Sequence, residues 1–352
     1  MTVGEPIGLG PQGGDHGDDG PTVVADLSTC IWRAGPPPAA LAAVRALSAD
    51  HLQRHPYGAV RIAVDAFAEA YRVPADGMVV GRGISDLLWA VADGPLGSRV
   101  AVPRPAYTEY VTAFPDAGHG PPAWGYDLAA VAALLDAGRV VVLSNPHNPS
   151  GRVIERDELL AAAAGRPGVL VVDESYAEFC AEPDRHSLLG TSAPNVVVLR
   201  SPSKFFGLAG ARVGFAWSAD ADLRAACTPR RGPWPLSMPD VVAVVAALGD
   251  TAWAAATHAA VQAAVATVDD VVRPLGAPVG GSVIHVRLVP ADDAPAVATA
   301  LRDHGVAVRV LGPAHGLPGP ALRIAAPLPA ELATVRAAIA AVTAGRRADQ
   351  GG

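Results

Sequence analysis

An alternation constrains this chain more than any other feature. Short, continuously apolar runs recur between longer, alanine-rich stretches. The runs Met78–Val80, Arg99–Val102, Val140–Ser144, Val169–Val172, Val196–Leu199 and Val213–Trp217 predict strands buried on both faces. Helices are predicted over Val60–Tyr71, Ser85–Ala92, Leu128–Ala137, Asp157–Ala164, Val241–Leu248 and Trp253–Val272. Such a pattern folds as α/β, with a mostly parallel central sheet and helices on both faces.

The last third changes character. Ser282–Val289, Val306–Val310 and Ala321–Ala325 read as strands, and Ala294–His304 and Pro329–Val342 as helices. These predict a smaller α+β domain. The expected organisation is a disordered leader (1–24), an N-terminal segment packing with the small domain (25–50), a large domain (51–275), the small domain (276–345) and a disordered tail (346–352).

Half of the 352 residues are hydrophobic and 17% are charged, enough for a sizeable core. The charge sum, 27 basic against 34 acidic, is −7, with no basic tract, which argues against nucleic acid. The apolar run near Val241–Leu248 is too short to span a membrane. The first residues lack a basic n-region and an apolar h-region. Cys30, Cys180 and Cys227 are odd in number and far apart, and the ten histidines show no ligand spacing. The expectation is a soluble, cytoplasmic protein without a metal site.

Four segments, Gly81–Asp86, Ser144–Gly151, Val171–Tyr176 and Ser201–Arg212, end strands, where ligands bind in open α/β sheets. Gly81-Arg82-Gly83-Ile84-Ser85 could cradle an anion at a helix start, or make a plain tight turn. Asp173 closes a buried run, either as a helix cap or ion-pair member, or as the partner of a protonated ring nitrogen. Tyr176 can share that cleft or lie in the core. Lys204, between Ser203 and Phe205, can attack a carbonyl as a neutral amine or can snorkel to the surface. Arg212 would bring a fixed cation near Ser201 and Ser203.

The ordered set Asn148-Pro149-Ser150-Gly151, Asp173-Glu174-Ser175-Tyr176, Ser201-Pro202-Ser203-Lys204 and Arg212 resembles the fold-type I pyridoxal-phosphate (PLP) enzymes, specifically the class I/II aminotransferases. The stretch Leu199–Phe215 is most similar to the branch containing histidinol-phosphate aminotransferase and threonine-phosphate decarboxylase. The resemblance covers about Asp26 to Val342.

That resemblance implies pyridoxal 5′-phosphate as cofactor, held by Lys204 as a Schiff base. It implies Asp173 at the pyridine nitrogen, and Asn148 and Tyr176 at the ring oxygen. Ser201, Ser203, Arg212 and the backbone of Ile84 and Ser85 would form the phosphate cup, with Tyr107 stacked on the ring. Arg323 would fork onto the substrate carboxylate. A homodimer with shared active sites is implied, in which His55 or Tyr57 reaches the neighbour's cofactor. The amino-terminal motif departs from the branch at Ile31 and Trp32, which implies a different substrate side chain, met by Trp32 and an anion-holding Arg33. The expected activity is amino transfer between an amino acid and a 2-oxo acid in a specialised pathway. A lyase of the threonine-phosphate decarboxylase kind is the alternative. A non-catalytic binding protein would lack Lys204 or Asp173, and both are present.

Overall fold

The structure is a computed structural model and describes Gly14 and residues 22–115, 117–119, 127–229, 234–281 and 283–350. Most of the expected leader lies outside the described residues. The strands are β1 (Ala25–Asp26), β2 (Met78–Gly81), β3 (Val100–Val102), β4 (Gly118–His119), β5 (Val140–Ser144), β6 (Val169–Asp173), β7 (Val196–Arg200), β8 (Gly214–Trp217), β9 (Val286–Pro290), β10 (Val306–Ala307), β11 (Arg309–Leu311) and β12 (Ala321–Ala325).

The central sheet has the order β2-β8-β7-β6-β5-β3-β4. The ladders from β4 to β7 are parallel, and β8 runs antiparallel to both β7 and β2. The link between β7 and β8, residues 201–213, contains no helix, so the chain turns back instead of crossing over.

Every residue of β5, β6 and β7 is buried, and side chains alternate between the two faces. Val140, Val142 and Val171 pack with Leu87, Leu88 and Val91 of the helix Gly83–Asp93. Val141, Leu143 and Val172 pack with Leu135 and Leu159 on the opposite side. Fully burying one such side chain is worth roughly 1.5–3 kcal/mol, so this twofold coverage holds the sheet rigid beneath the loops at its edge.

The smaller layer is the antiparallel sheet β11-β12-β9 with the helices Ala294–Asp303 and Leu332–Gln350, beside the parallel pair β1-β10. Several expectations change here. The single strand expected over Val306–Val310 is two strands, because β10 joins β1 while β11 joins β12. The N-terminal segment meets this layer through β1 and the residues just after it, where the Leu27 carbonyl accepts from the Ala325 N–H (2.9 Å), while its helix Pro38–Arg45 packs on the helix Met238–Gly249. The last helix runs to Gln350, into the segment expected to be disordered, where Arg346 bonds Asp293 (2.8 Å) and the Leu275 carbonyl. The helix expected from Ser85 opens at Gly83. Among the described residues, no single helix is long and apolar enough to cross a membrane.

Register sets up the site. Ser144 pairs with Asp173, and Asp173 with Leu199, so β5, β6 and β7 end level. The segments after them therefore emerge side by side at one edge.

Candidate active site

Asp173 is the last residue of β6 and is buried. Its Oδ1 accepts from the Ser175 backbone N–H (2.9 Å) and hydroxyl (2.5 Å), and its Oδ2 from the Tyr110 hydroxyl (2.7 Å). Burial pushes its carboxyl above the usual range, while the bonds from Ser175 and Tyr110 and the charge of Lys204 pull it back. A buried carboxylate with its lone pairs so directed suits a cationic N–H donor.

Lys204 shares a cavity with Asp173, Asn148, Tyr176, Ser201, Ser203, Arg212 and the Gly83–Ser85 turn. It is the only lysine in the sequence. Among the described residues its amine forms no hydrogen bond or ion pair. Burial lowers its pKa, Arg323 and Arg212 push the same way, and Cys30 and Asp173 oppose them. An amine held in this manner is more readily neutral and nucleophilic.

The far end of this cavity is built for an anion. Ser201 Oγ donates to the Val213 carbonyl (2.8 Å) and shares a hydrogen bond with Ser203 Oγ (2.9 Å). Arg212 comes so close to the helix start that a Cβ on Gly83 would lie 2.8 Å from its Nη2. Gly83 also has φ +74°, which a side chain would strain. The first turn of the helix Gly83–Asp93 supplies free N–H groups beside that guanidinium. The cavity can thus take a molecule with an anionic group at one end and a protonated nitrogen at the other.

An adjoining cavity of about 310 Å³ is lined by Lys204, Tyr107, Asn148, Tyr176, Arg309 and Arg323, among others. Arg323 Nη1 donates to Asn148 Oδ1 (2.9 Å) and Nη2 to the Ser28 carbonyl (2.7 Å), which fixes the guanidinium plane. Asn148 Nδ2 donates to the Tyr176 hydroxyl (3.5 Å). Burial raises the Tyr107 pKa to about 12, with Glu109 adding to the effect, and raises Tyr176 well above its ordinary value. Both tyrosines are therefore neutral donors at physiological pH. Behind them, Ser150 Oγ bonds His147 Nδ1 (2.6 Å), and His147 Nε2 donates to the Pro105 carbonyl (2.9 Å), tying the Asn148 loop to the Tyr107 loop. Burial lowers the His147 pKa to about 4, so this tie stays neutral.

The model of the family described as aminotransferase class I and II matches residues 34–340. This chain belongs to that family. It is 31% identical to a histidinol-phosphate aminotransferase of Rhodospirillum centenum over 93% of this chain and 94% of that one. It is 38% identical to a threonine-phosphate decarboxylase of Pseudomonas aeruginosa over 55% and 58%, respectively. The chain spans about three-fifths of the length of several other curated relatives it matches. Among solved structures, a histidinol-phosphate aminotransferase of Sinorhizobium meliloti in complex with pyridoxal-5′-phosphate superposes with a TM-score of 0.78 at 23% identity, covering 92% of each chain. That likeness gives the fold.

In this class I and II aminotransferase chain, the residues expected at the substrate side chain lie elsewhere. Trp32 is a core residue, edge-on to His285 (6.3 Å) and lining neither cavity, though its backbone N–H donates to the Lys204 carbonyl (2.9 Å). Arg33 is paired with Glu331 and also bonds the Ala326 carbonyl (3.4 Å), so it has no hold on the cavity. The segment turns its preceding residues, Thr29, Cys30 and Ile31, to the cavity wall instead. Tyr57 is on the surface, 69% exposed, outside both cavities of its own chain.

Two residues were not foreseen. Tyr110, one helical turn after Tyr107, holds Asp173, and that spacing was the available signal. Arg309 enters the cavity because β11 sets it in register with Arg323 on β12. Burial, with Arg323 beside it, lowers its pKa.

Proposed function

We propose that this protein is a PLP-dependent aminotransferase that moves an amino group between an amino acid and a 2-oxo acid. The observation that carries the reading is the position of the sole lysine. Lys204 sits in one cavity with the acceptor Asp173 and the anion cradle of Ser201, Ser203, Gly83 and Arg212. These groups fit pyridoxal phosphate: the cradle suits its phosphate, Asp173 its ring nitrogen, and the Lys204 amine its aldehyde carbon. Asn148 and Tyr176 are placed to donate to the ring oxygen and Tyr107 to cover the ring. When bound, the cofactor supplies a protonated ring that draws charge from the substrate Cα.

The protein's part is positioning and proton transfer. The Asp173 carboxylate, whose three donors favour its ionised form against burial, would keep a proton on the ring nitrogen. The Arg323 guanidinium orients the substrate carboxylate, a task suited to its planar fork. With the cofactor bound, the Lys204 amine would be the base that takes the proton from the substrate Cα and delivers it to the cofactor's aldehyde carbon. Arg309, beside Arg323, favours a substrate with a second anionic group. The apolar wall at Ile31 and Leu311 accommodates the intervening carbons.

A homodimer belongs to the same reading. His55 stacks on Trp234 (3.7 Å) with Tyr57 edge-on to that ring (5.9 Å), and Leu52 is 72% exposed nearby in sequence. Such an aromatic patch suits a second copy of this chain. The three free cysteines suit the reducing cytoplasm.

The test is the absorption spectrum of the PLP-loaded protein, followed by a panel of amino donors. A visible band that converts to the amine form of the cofactor with one donor supports the reading. Borohydride reduction should attach one cofactor per chain at Lys204, and Lys204→Ala should lose both the band and turnover. Retained turnover in that variant would refute the assignment. The likeness to a threonine-phosphate decarboxylase favours a second reading, decarboxylation at the same lysine. CO₂ release without any oxo-acid acceptor would establish it.

A further inference from the structure

Beside β6 and β7, outside the two cavities of the active site, lies a third cavity of about 360 Å³. Arg72, Arg156 and Arg200 border it, with Tyr71, Ser187 and Asp184. None of the groups assigned to the reaction lines it.

Arg200 ends β7 and is only 4% exposed. Its Nε donates to Glu178 (3.1 Å), and its Nη1 to Glu174 (2.9 Å) and the Ser187 hydroxyl (3.0 Å). The guanidinium carbon lies 4.7 Å from the centre of the Tyr71 ring. Those contacts leave Nη2 without a partner among the described residues, on a side chain that borders the cavity. Nη2 is not one of the fully enclosed unpartnered atoms, so an acceptor in the cavity can reach it and complete a charge-assisted pair.

The two other arginines lack counter-charges of their own. Arg156 donates to the carbonyls of Ser187 and Leu189 and forms no ion pair among the described residues. Arg72 caps the helix Ala59–Tyr71 in the left-handed region (φ 54°), where glycine is the ordinary residue. It too makes no ion pair among the described residues. Asp184, exposed at the rim, is the single carboxylate of the lining.

We propose that this cavity is a second binding site, for a small oxyanion with phosphate or carboxylate chemistry. Arg200 Nη2 supplies a donor in the cavity wall, and Arg72 and Arg156 supply flanking cations. Guanidinium forks match such oxygens in pairs. Arg200 directly precedes Ser201, and its partner Glu174 directly follows Asp173. An occupant therefore meets the ends of the same two strands that carry the active site.

The probe is inorganic phosphate, titrated calorimetrically into the PLP-loaded protein, in which the cofactor fills its own phosphate cradle. An Arg309→Ser background weakens anion binding in the substrate cavity. Phosphate should still bind there, and adding Arg72→Gly should weaken it about tenfold, the loss expected for one charge-assisted contact. Arg72→Gly suits the left-handed position and leaves the fold intact, which an unchanged melting temperature without phosphate confirms. Absence of binding to the Arg309→Ser protein, or an affinity unchanged by Arg72→Gly, would overturn the proposal.

Discussion

Tyr110→Phe removes one oxygen and tests how Asp173 is held. The hydroxyl donates to Asp173 Oδ2 at 2.7 Å inside the core, and the ring packs edge-on to Tyr107 at 5.6 Å. Phenylalanine keeps that packing and deletes the bond. A hydrogen bond to a charged group is worth about 1.5–3 kcal/mol. Two bonds from Ser175 remain on the other oxygen, so the low end applies, and that energy corresponds to roughly a tenfold fall in kcat. The pH dependence gives the sign. Burial already holds Asp173 above its unfolded value, and the Tyr110 bond opposes the shift. As pH rises, the unfolded chain loses this proton before the folded one, so the group withdraws stability over that interval. Without Tyr110 the folded carboxyl titrates higher still, the interval widens upward, and the acid limb of kcat/KM moves to higher pH. Steady-state rates across pH, with melting curves at the same pH values, measure both effects. A rate and an acid limb equal to those of the unmodified protein would refute the role given to this bond.

Gly83→Ala should weaken PLP binding by at least about tenfold, since the new Cβ falls 2.8 Å from Arg212 Nη2 at a φ that disfavours side chains; equilibrium dialysis of the cofactor checks it. Arg323→Lys should raise KM for the amino donor more than it lowers kcat, because a point charge replaces a fork already aligned by Asn148 and Ser28; separate kcat and KM values decide this. Asp173→Asn should retain PLP but lose most of its rate, as single-turnover absorbance would show.

The strand core was legible because its energetics are local. Runs such as Val140–Leu143 and Val196–Leu199 carry no polar residue that could face solvent, so they can only be covered on both sides. Asp173 and Lys204 were legible for the related reason that charge at the end of a buried run calls for a partner or a task. The ordered motifs then pointed to one cofactor. The surroundings of Trp32 and Arg33 were not legible, because one segment turns successive side chains to different surroundings. Thr29, Cys30 and Ile31 meet the cavity, Trp32 meets His285, and Arg33 meets Glu331, a residue far along the chain.

What the sequence by itself determined is the α/β layering, the family and which charged groups stand at the strand ends. Each of these depends on residue type and on spacing along one strand or turn. Only the tertiary structure decided which groups meet. Arg309 stands beside Arg323 through the pairing of β11 with β12, and Tyr110 reaches Asp173 through helix packing on the sheet. A Cβ on Gly83, already disfavoured by φ +74°, would push the end of Arg212, from a turn more than a hundred residues later, out of its place. Such contacts arise from register and packing between elements distant in sequence, and no local periodicity encodes them.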